Sequence, residues 1–331
     1  VDDVPAGSRA SVRVEPGTAI RIMTGAPMPE GADAVVPVEG TDGGTDTVLV
    51  QQPVPQGANI RRAGEDVTTG EVVMTAGTLI GARQVGLLAA VGCAHVLAHP
   101  RPRVAVISTG SELVEAGQPL TFGMLPDSNG HLLVAACREA GADAYRVGPI
   151  ADDEEAFRTA VEDQVHRCDL IITSGGVSMG AYDTVKSVFH RDDAPGTVEF
   201  MKVAMSPGMP QGFGSVGDGT VPIVTLPGNP VSSYISFENF VRPVLEKMRG
   251  VTPSARQSTA VCGADLSSPA GRRQFVRARF LADGVVAPVG TGQGSHVMGG
   301  LAAAEALIVV PEDVTEVVVG DTVAIVDLRP L

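Results

Sequence analysis

The stretch DLIITSGGVSMGAYDTVKSVFH, residues 169–190, runs from an apolar segment through a glycine-rich loop into a segment with helical spacing. The apolar run followed by glycines predicts a buried strand, and YDTVKSVFH predicts the helix after it. Gly175 and Gly176 would let the backbone approach a ligand closely, and helix-opening amides with the Ser174 and Ser178 hydroxyls could hold a phosphate. A strand that simply ends in a turn explains the same residues, so both interpretations stay open at this point.

The surrounding residues 101–250 repeat this alternation of strand and helix. RVAVIS, DAYRVGPI and VPIVTLPGNP predict further strands, each followed by a segment with helical spacing. The first of these helices, SNGHLLVAACREAGA, is expected to begin at a cap of Ser128 or Asn129 and to stop at Gly141. Strands that alternate with helices predict a doubly wound parallel sheet covered on both faces, with ligands at the carboxyl ends of its strands.

Two flanking regions lack this alternation. Residues 1–60 carry short apolar segments between Gly, Pro and Asp clusters, which predicts a β-rich unit without helices. Residues 61–100 complete the N-terminal part and include GARQVGLLAAVG, a short amphipathic helix closed by Gly92. Residues 251–331 return to short strands, which is typical of a small β-barrel or sandwich. The predicted fold is a multidomain α/β protein whose doubly wound central domain, residues 101–250, lies between β-rich parts.

Composition restricts the classes of partner and the compartment. The chain has 331 residues, 44% of them hydrophobic, and a formal net charge of −14, which suits two or more folded units and argues against nucleic acid as a partner. No apolar run reaches the roughly 18 residues of a membrane-spanning helix. The four cysteines are widely spaced and predict free thiols, so a cytoplasmic protein without membrane insertion is expected. Because the chain begins with Val1, a further segment upstream is also expected.

Three strand-to-helix loops should meet at one edge of the predicted sheet. They are STGSEL at 108–113, TSGGVSMGAYD at 173–183 and LPGNPVSS at 226–233. The last of these contains a turn made rigid by two prolines. Because the carboxyl ends of parallel strands lie on the same side of a sheet, the three loops together indicate a binding site more strongly than any one of them.

Carboxylates are concentrated at the same predicted edge, at Glu112, Asp152, Asp153 and Asp183. Carboxylate oxygens are ligands for a hard divalent cation such as Mg²⁺, which would neutralise phosphate charge. The same residues suit helix caps or solvated charges, and Asp152 with Asp153 fits the acidic first turn of a helix. Spacing alone leaves both interpretations open.

The tail contains a local concentration of arginine. GRRQFVRARF, residues 271–280, places Arg273, Arg277 and Arg279 on one face of a strand through its period of two. In an acidic protein such a stripe suits a phosphate or another oxyanion, and a solvated strand face fits the spacing as well. The sequence contains no nucleophile elbow, Walker loop or dinucleotide-binding motif.

Six motifs in a fixed order establish a resemblance to a known family. MTGAPMPEGADAVVPVE, RRAGED, STGSEL, TSGGVSMGAYD, LPGNPVSS and GQGSH occur in the order and spacing of the MoeA/gephyrin E-domain family, the molybdopterin molybdenumtransferases. The resemblance extends over nearly the whole chain. It implies an elongated homodimer with an early β-rich domain, a central MogA-like molybdopterin-binding domain and a C-terminal β-barrel. It also implies that adenylylated molybdopterin and molybdate give molybdenum cofactor and AMP, with Mg²⁺ or another divalent cation.

The resemblance further implies roles for individual residues. Glu112, Asp152 and Asp183 match acidic active-site residues and would hold the cation. Thr24 would reach the site from the partner subunit, and Lys202 matches a catalytic lysine. The positions that would bind the pterin and its phosphate, or lie near molybdate, are Thr109, Gly110, Ser174, Gly175, Gly176, Ser178, Pro227, Gly228, Asn229, Pro230, Arg273, Arg277 and Ser295.

Two features depart from the family pattern. The upstream D-G-Y-A motif of family members is absent, and MKVAMSPGMPQGFG stands where they read K-x-A-x-K-P-G-K-P. Lys202 is kept, whereas Ser206 and Met209 replace two lysines associated with molybdate. At about 1.5–3 kcal/mol for each charged hydrogen bond, the loss of two would weaken oxyanion binding by about 10²–10⁴-fold.

An active molybdenum insertase is the main hypothesis from the sequence, with a MogA-like adenylyltransferase as an expected partner. The alternative is a gephyrin-like paralogue that acts mainly as a dimeric scaffold for another protein. A plain molybdopterin-binding or adenylylating module ranks third, because it has no use for the two flanking β domains.

Overall fold

The structure is a computed structural model that describes residues 3–177, 183–251, 256–282, 284–290 and 292–329. The chain divides into two units, Val1–Ala76 and Gly77–Leu331. The second unit contains the strands and helices that the sequence predicts for the central and C-terminal domains.

The first unit consists of turns and short backbone pairings. Its regular elements are β1 (Asp3–Val4), β2 (Arg21–Ile22) in parallel with it, a 3-10 helix at Val38–Gly40 and an isolated bridge between Thr41 and Val50. The described residues 3–76 contain no α-helix, in agreement with the predicted β-rich unit. Frequent glycines and prolines between the apolar segments keep these pairings short.

The described residues of the second unit contain seven α-helices. They are α1 (Ala82–Ala90), α2 (Ser128–Glu139), α3 (Glu154–Gln164), α4 (Thr184–Phe189), α5 (Pro230–Ser236), α6 (Arg242–Met248) and α7 (Met298–Ala302). A π-helix, Phe237–Val241, connects α5 directly to α6. The predicted helix before Gly92 is confirmed as α1. In the part of the chain that the structure describes, no helix combines the length and apolar content needed to cross a membrane.

The same unit contains sixteen described strands. They are β3 (Arg103–Thr109), β4 (Leu113–Val114), β5 (Leu125–Pro126), β6 (Asp143–Ile150), β7 (Leu170–Ser174), β8 (Gly196–Lys202), β9 (Met205–Ser206), β10 (Pro210–Val216), β11 (Val221–Leu226), β12 (Gln257–Cys262), β13 (Leu266–Ser267), β14 (Arg273–Ala282), β15 (Val285–Pro288), β16 (Ala306–Val310), β17 (Glu316–Val317) and β18 (Thr322–Asp327). The short strands β4 and β5 pair in parallel, and β13 and β17 pair in antiparallel orientation.

Six strands form a mixed sheet in the order β6-β3-β7-β11-β10-β8. The four strands predicted from the sequence, β3, β6, β7 and β11, run parallel to one another. The strands β10, which runs antiparallel to these four, and β8, which pairs antiparallel to β10 at the edge of the sheet, are not predicted, because glycines interrupt the apolar alternation of β10. A Cβ at Gly214 would lie 1.9 Å from the Thr197 carbonyl oxygen, so glycine is needed for these two strands to pair closely.

Apolar residues cover both faces of this sheet. On β3, Val104 and Val106 pack in one buried cluster with residues of α2 and α6, while Ala105 and Ile107 pack in another with residues of α3 and α4. The alternation follows from the two-residue period of a strand, and the continuous apolar sequence follows from burial on both faces. The predicted doubly wound central domain is confirmed.

The C-terminal strands form the predicted β-barrel. β12, β14, β15, β16 and β18 close into a five-stranded ring, because β14 pairs with both β15 and β16. Buried apolar residues, among them Val276, Ile308 and Ile325, fill its interior. β9 pairs in parallel with the start of β14, at Met205 opposite Arg273, and this pairing attaches the barrel to the α/β domain.

The start of α2 differs from the prediction. Asp127, rather than Ser128 or Asn129, caps the helix, and its carboxylate accepts a hydrogen bond from the Gly130 amide at 2.9 Å. Asn129 instead lies inside the first turn and is buried. Gly141 ends the helix as expected, with a φ of +83°.

Candidate functional site

Three loops meet at the carboxyl edge of the parallel strands, as the sequence predicts. Thr109 ends β3, Gly175 follows β7 and Gly228 follows β11. A Cβ at Gly175 would lie 2.4 Å from the Thr109 carbonyl oxygen, and a Cβ at Gly228 would lie 3.5 Å from the Gly175 Cα. Gly175 also has a φ of +99°, which residues with a side chain rarely adopt. Both the backbone conformation and the close approach therefore require glycine at this position.

Two further glycines of these loops leave room for neighbouring side chains. A Cβ at Gly176 would lie 2.4 Å from a methyl group of Val185, at a φ of +66°. A Cβ at Gly110 would lie 2.7 Å from Oε2 of Glu112. The exposed Glu112 carboxylate therefore lies against the backbone of its own loop at the rim of the site.

Buried hydrogen bonds connect the loops to one another. Asn129 Nδ2 donates to the Gly228 carbonyl at 2.6 Å and to the Ser174 hydroxyl at 2.8 Å. The Ser174 hydroxyl lies 3.4 Å from the Pro227 carbonyl oxygen, and the Thr109 hydroxyl lies 3.4 Å from the Ser174 carbonyl oxygen. The loops after β3, β7 and β11 are therefore held in one hydrogen-bonded group.

Asn129 belongs to this group, although the sequence suggests only a helix cap for it. In the sequence, only the position of Asn129 within the helical repeat of α2 indicates this role. Asn129 lies four and eight residues before Leu133 and Cys137, which are both buried on the apolar face of α2. A polar residue on such a buried face indicates a specific hydrogen-bonding role.

Asp152 attaches the loop after β6 to the same rim. Its Oδ2 accepts a hydrogen bond from the Ser111 amide at 3.0 Å, and the Ser111 hydroxyl accepts one from the Asp152 amide at 2.9 Å. Asp153 has a different role, because its carboxylate caps α3 by accepting from the Ala156 amide at 2.8 Å. The sequence does not distinguish these two adjacent carboxylates, but the structure places Asp152 at the candidate site and Asp153 at a helix terminus.

Asp183 occupies the start of α4 with its carboxylate largely buried. Its side chain is 6% exposed, and Lys186 Nζ lies 3.7 Å from Oδ2. Within the described residues, Oδ2 accepts no hydrogen bond. Burial raises the pKa of this carboxyl above its usual value, the negative charge of Asp152 raises it further, and Lys186 acts in the opposite direction. The two aspartates therefore influence each other electrostatically.

The described residues contain no group of three or more His, Cys, Asp or Glu side chains arranged to hold a metal ion. The predicted trio of Glu112, Asp152 and Asp183 is therefore not assembled as a three-ligand cluster in this structure. Mg²⁺ commonly binds one or two carboxylates and completes its shell with water and substrate phosphates. The buried Asp183 oxygen, which accepts no hydrogen bond from the described residues, fits that weaker requirement together with Asp152.

The GQGSH segment of the tail contacts the LPGNP turn directly. Asn229 Nδ2 donates to the Ser295 hydroxyl at 2.8 Å, and the Val231 amide donates to the Ser295 carbonyl at 3.0 Å. Pro230 begins α5 at this point, where the lack of an amide hydrogen is harmless. The barrel therefore contributes one wall beside the three loops.

Arg277 is buried behind this wall and does not form part of an exposed arginine stripe. Its side chain is fully buried. Its guanidinium donates to the Gly292 carbonyl at 2.6 Å, to the Val297 carbonyl and to Oε1 of Gln293 at 3.3 Å. Burial lowers the pKa of the guanidinium. Arg277 therefore holds the segment that contains Ser295.

The two other arginines of the predicted stripe are exposed. Arg273 forms an ion pair with Glu312 at 3.1 Å, and Arg279 is exposed beyond the buried Arg277. The expectation of one continuous cationic face is therefore wrong. A period of two places these side chains on one side of β14, but the loop 292–297 covers that side in the middle.

The remaining predicted residues lie in other elements or outside the described chain. Lys202 is exposed at the end of β8, and Ser206 lies in β9 opposite Gln274. The Met209 carbonyl accepts a hydrogen bond from the Val203 amide at 2.8 Å. Thr24 is exposed in the first unit, after β2, and Ser178 lies outside the described residues.

Three family models match the chain. Residues 1–92 match the MoeA N-terminal region (domain I and II), residues 105–247 a probable molybdopterin binding domain, and residues 259–328 the MoeA C-terminal region (domain IV). Molybdopterin molybdenumtransferase 2 of Mycobacterium tuberculosis is 48% identical over 99% of this chain and 81% of its own length. The chain belongs to the MoeA family of molybdopterin molybdenumtransferases. The family relative from Haemophilus influenzae is 34% identical over 93% of this chain and 76% of its own.

Solved structures of MoeA proteins have the same fold. A crystal structure of a molybdopterin biosynthesis MoeA protein from Pyrococcus horikoshii superposes with a TM-score of 0.78 at 29% identity, covering 99% of this chain and 80% of the other. A second structure from that organism gives 0.70, also at 29% identity, over 98% and 79%. The relatives described here are named as transferases, and none of these comparisons supports the scaffold alternative.

Replacing Arg277 should destabilise the barrel. Arg277→Met keeps an unbranched side chain but leaves the carbonyls of Gly292 and Val297 without donors, so the free energy of unfolding should fall by about 2–5 kcal/mol. Urea unfolding measures the change. The control is Arg273→Met on the same strand, which removes only an exposed ion pair and should have little effect. Equal losses in both variants would contradict the buried role of Arg277.

Replacing Asp183 by asparagine should stabilise the protein at neutral pH. Asparagine can still cap α4, while the charge that burial disfavours is removed. Because the pKa of Asp183 is raised in the folded state, its titration favours folding at acidic pH, and this contribution is lost as the pH rises through that pKa. The gain in Asp183→Asn should therefore shrink as urea unfolding is repeated toward acidic pH. Asp153→Asn, at the cap of α3, should show no such gain.

Proposed function

We propose that this protein inserts molybdenum into molybdopterin, using adenylylated molybdopterin and molybdate and releasing AMP. The observation that supports this proposal is the junction of Thr109, Gly175 and Gly228, with Asp152 and Asp183 at its rim. Ligands of open α/β sheets bind at the carboxyl ends of the strands, where these loops lie. Family membership makes a pterin phosphate the natural ligand for this edge.

The glycine loop would bind the substrate phosphates through the backbone. Gly175 and Gly176 have no side chains to obstruct the approach, and Ser174 adds a hydroxyl beside them. The Asn229 turn and Ser295 would border the same ligand on the barrel side. These groups orient the phosphoanhydride and keep it beside the aspartates, and such positioning can supply several kcal/mol of the barrier.

The aspartates require a cation when an anionic substrate binds. The formal charge of −14 and the carboxylates of Asp152 and Asp183 would repel phosphate, so a divalent cation such as Mg²⁺ would be held by these two carboxylates and by substrate oxygens. When bound, it would neutralise charge that develops on the leaving AMP phosphate. Asp152 is already oriented for this role by its two hydrogen bonds with Ser111.

We further propose that the active form is a cytoplasmic homodimer in which Thr24 of one subunit completes the site of the other. A MogA-like adenylyltransferase would supply the adenylylated substrate. Molybdate would bind on the barrel side, near Lys202 and Arg273. The replacement of two family lysines by Ser206 and Met209 leaves fewer cations there, so this enzyme should require a high molybdate concentration.

Release of AMP tests the proposed function. Purified protein is mixed with adenylylated molybdopterin, MgCl₂ and molybdate, and AMP is quantified by chromatography, with magnesium omitted in a parallel sample. Asp152→Asn keeps an acceptor for the Ser111 amide but removes the charge, so release should fall by about 10²-fold or more. If the wild-type protein releases no AMP at any molybdate concentration, the proposed function is wrong.

Restoring both lysines should increase the affinity for molybdate. In the double variant Ser206→Lys and Met209→Lys, two added cations should lower the molybdate concentration at half-maximal AMP release by about 10²-fold or more. A lysine placed on the exposed Met201 of the neighbouring strand controls for net charge and should change this concentration little. An unchanged molybdate dependence in the double variant would show that this segment does not contact the oxyanion.

A further inference from the structure

Asn129 is a buried amide that contacts two of the three ligand loops at once. Its side chain comes from the first turn of α2, and the residue is 9% exposed. One nitrogen, Nδ2, lies 2.6 Å from the Gly228 carbonyl oxygen and 2.8 Å from the Ser174 hydroxyl. A carbonyl oxygen can only accept a hydrogen bond, so the amide must present its nitrogen to Gly228. The orientation of the side chain is thereby determined.

The direct hydrogen bonds described between the loop after β7 and the turn after β11 are longer than the two that Asn129 makes to them. The Ser174 hydroxyl lies 3.4 Å from the Pro227 carbonyl, and the Gly175 amide lies 3.2 Å from the Leu226 carbonyl. Both of those bonds are near the long limit for a hydrogen bond. Asn129 therefore provides the closest connection between the two loops, from an element that belongs to neither.

The start of α2 is itself anchored. Asp127, whose carboxylate caps the helix, is 1% exposed. Arg146 on β6 lies 2.9 Å from the Asp127 carboxylate and 2.9 Å from that of Glu115. This network holds the first helical turn on the sheet, so the amide of Asn129 is presented from a rigid position.

The oxygen end of the amide lacks a hydrogen-bond donor within the described part of the chain. Asn129 Oδ1 is buried and, among the residues that the structure describes, receives no hydrogen bond. A buried acceptor without a donor is unfavourable, and an apolar residue would fit the spacing shared with Leu133 and Cys137. Helix packing alone therefore does not explain an asparagine at this position, whereas its two contacts with the loops do.

We propose that Asn129 is a positioning residue for molybdopterin binding, which sets the separation of the TSGG loop and the LPGN turn. The proposal rests on the function proposed above, because it takes the pterin phosphate as the ligand of these loops. Asn129 acts through Ser174 and Gly228 and needs no contact with the substrate. Loss of its donor should loosen both loops and weaken ligand binding more than it slows the reaction at saturation.

Three variants of the full chain test this role. Asn129→Ala removes the donor, Asn129→Asp keeps the shape but places a carboxylate oxygen against the Gly228 carbonyl, which can only accept, and Ser128→Ala alters an exposed neighbour in the same turn. Thermal unfolding establishes that each variant is folded. Molybdopterin binding is then measured by pterin fluorescence, amide hydrogen exchange is followed at 174–177 and 226–229 without ligand, and AMP release gives KM and kcat.

Asn129→Ala should raise the Kd for molybdopterin by about 5–100-fold, the effect of losing two hydrogen bonds that order the loops. Exchange in both loops should accelerate, and KM should rise by a larger factor than kcat falls. Asn129→Asp should bind molybdopterin still more weakly than Asn129→Ala. If Asn129 acted only in packing, the isosteric Asn129→Asp change should instead weaken binding less than Asn129→Ala. Ser128→Ala should behave as wild type.

Two outcomes would overturn the inference. One is a Kd within about twofold of wild type in a folded Asn129→Ala variant, a difference of only ~0.4 kcal/mol. The other is faster exchange with unchanged binding, which would show that the tied loops do not form the ligand site. Both outcomes differ from a failure of the proposed transferase activity. In that case the wild-type protein would bind molybdopterin but release no AMP.

Discussion

The close approach of Gly175 to the carbonyl oxygen of Thr109 is the contact on which the candidate site depends. The parallel pairing of β7 with β3 brings the two strand ends side by side, and a Cβ at this position would lie 2.4 Å from that oxygen. With glycine there, the chain turns at a positive φ and meets Gly228 of the next loop. Three loops that are distant in sequence thereby meet at one edge of the sheet, and the surrounding contacts stabilise this arrangement.

Support for these loops comes from two directions. On one side, the buried amide of Asn129 connects Ser174 with Gly228 from the start of α2. On the other, the barrel contacts the LPGNP turn through Ser295, whose segment is held by the buried guanidinium of Arg277. The C-terminal barrel thus contributes to the geometry of a site that the α/β sheet forms. A domain that merely bound the pterin would not need this wall, which is consistent with a second, oxyanionic substrate.

Charge sets the other constraint on the site. Under the proposed function, this acidic chain would bind an anionic ligand beside Asp152 and Asp183, although burial and the negative charge of Asp152 already disfavour the ionised form of Asp183. A divalent cation would resolve this conflict, because it would be attracted by the same carboxylates that would repel phosphate. Two of the three arginines of β14 would not replace it, since Arg277 is used internally and Arg273 is paired with Glu312.

The sequence by itself determined the alternation of strands and helices, and with it the meeting of the three loops at one edge, because these follow from local periodicity and from the common direction of parallel strands. Local pattern does not specify which distant segment covers a side chain. Only the tertiary structure therefore decided that Arg277 is buried under residues 292–297, and that Asp153 caps a helix while Asp152 turns to Ser111. It likewise decided the role of Asn129, since both of its partners lie in other loops, 45 and 99 residues along the chain.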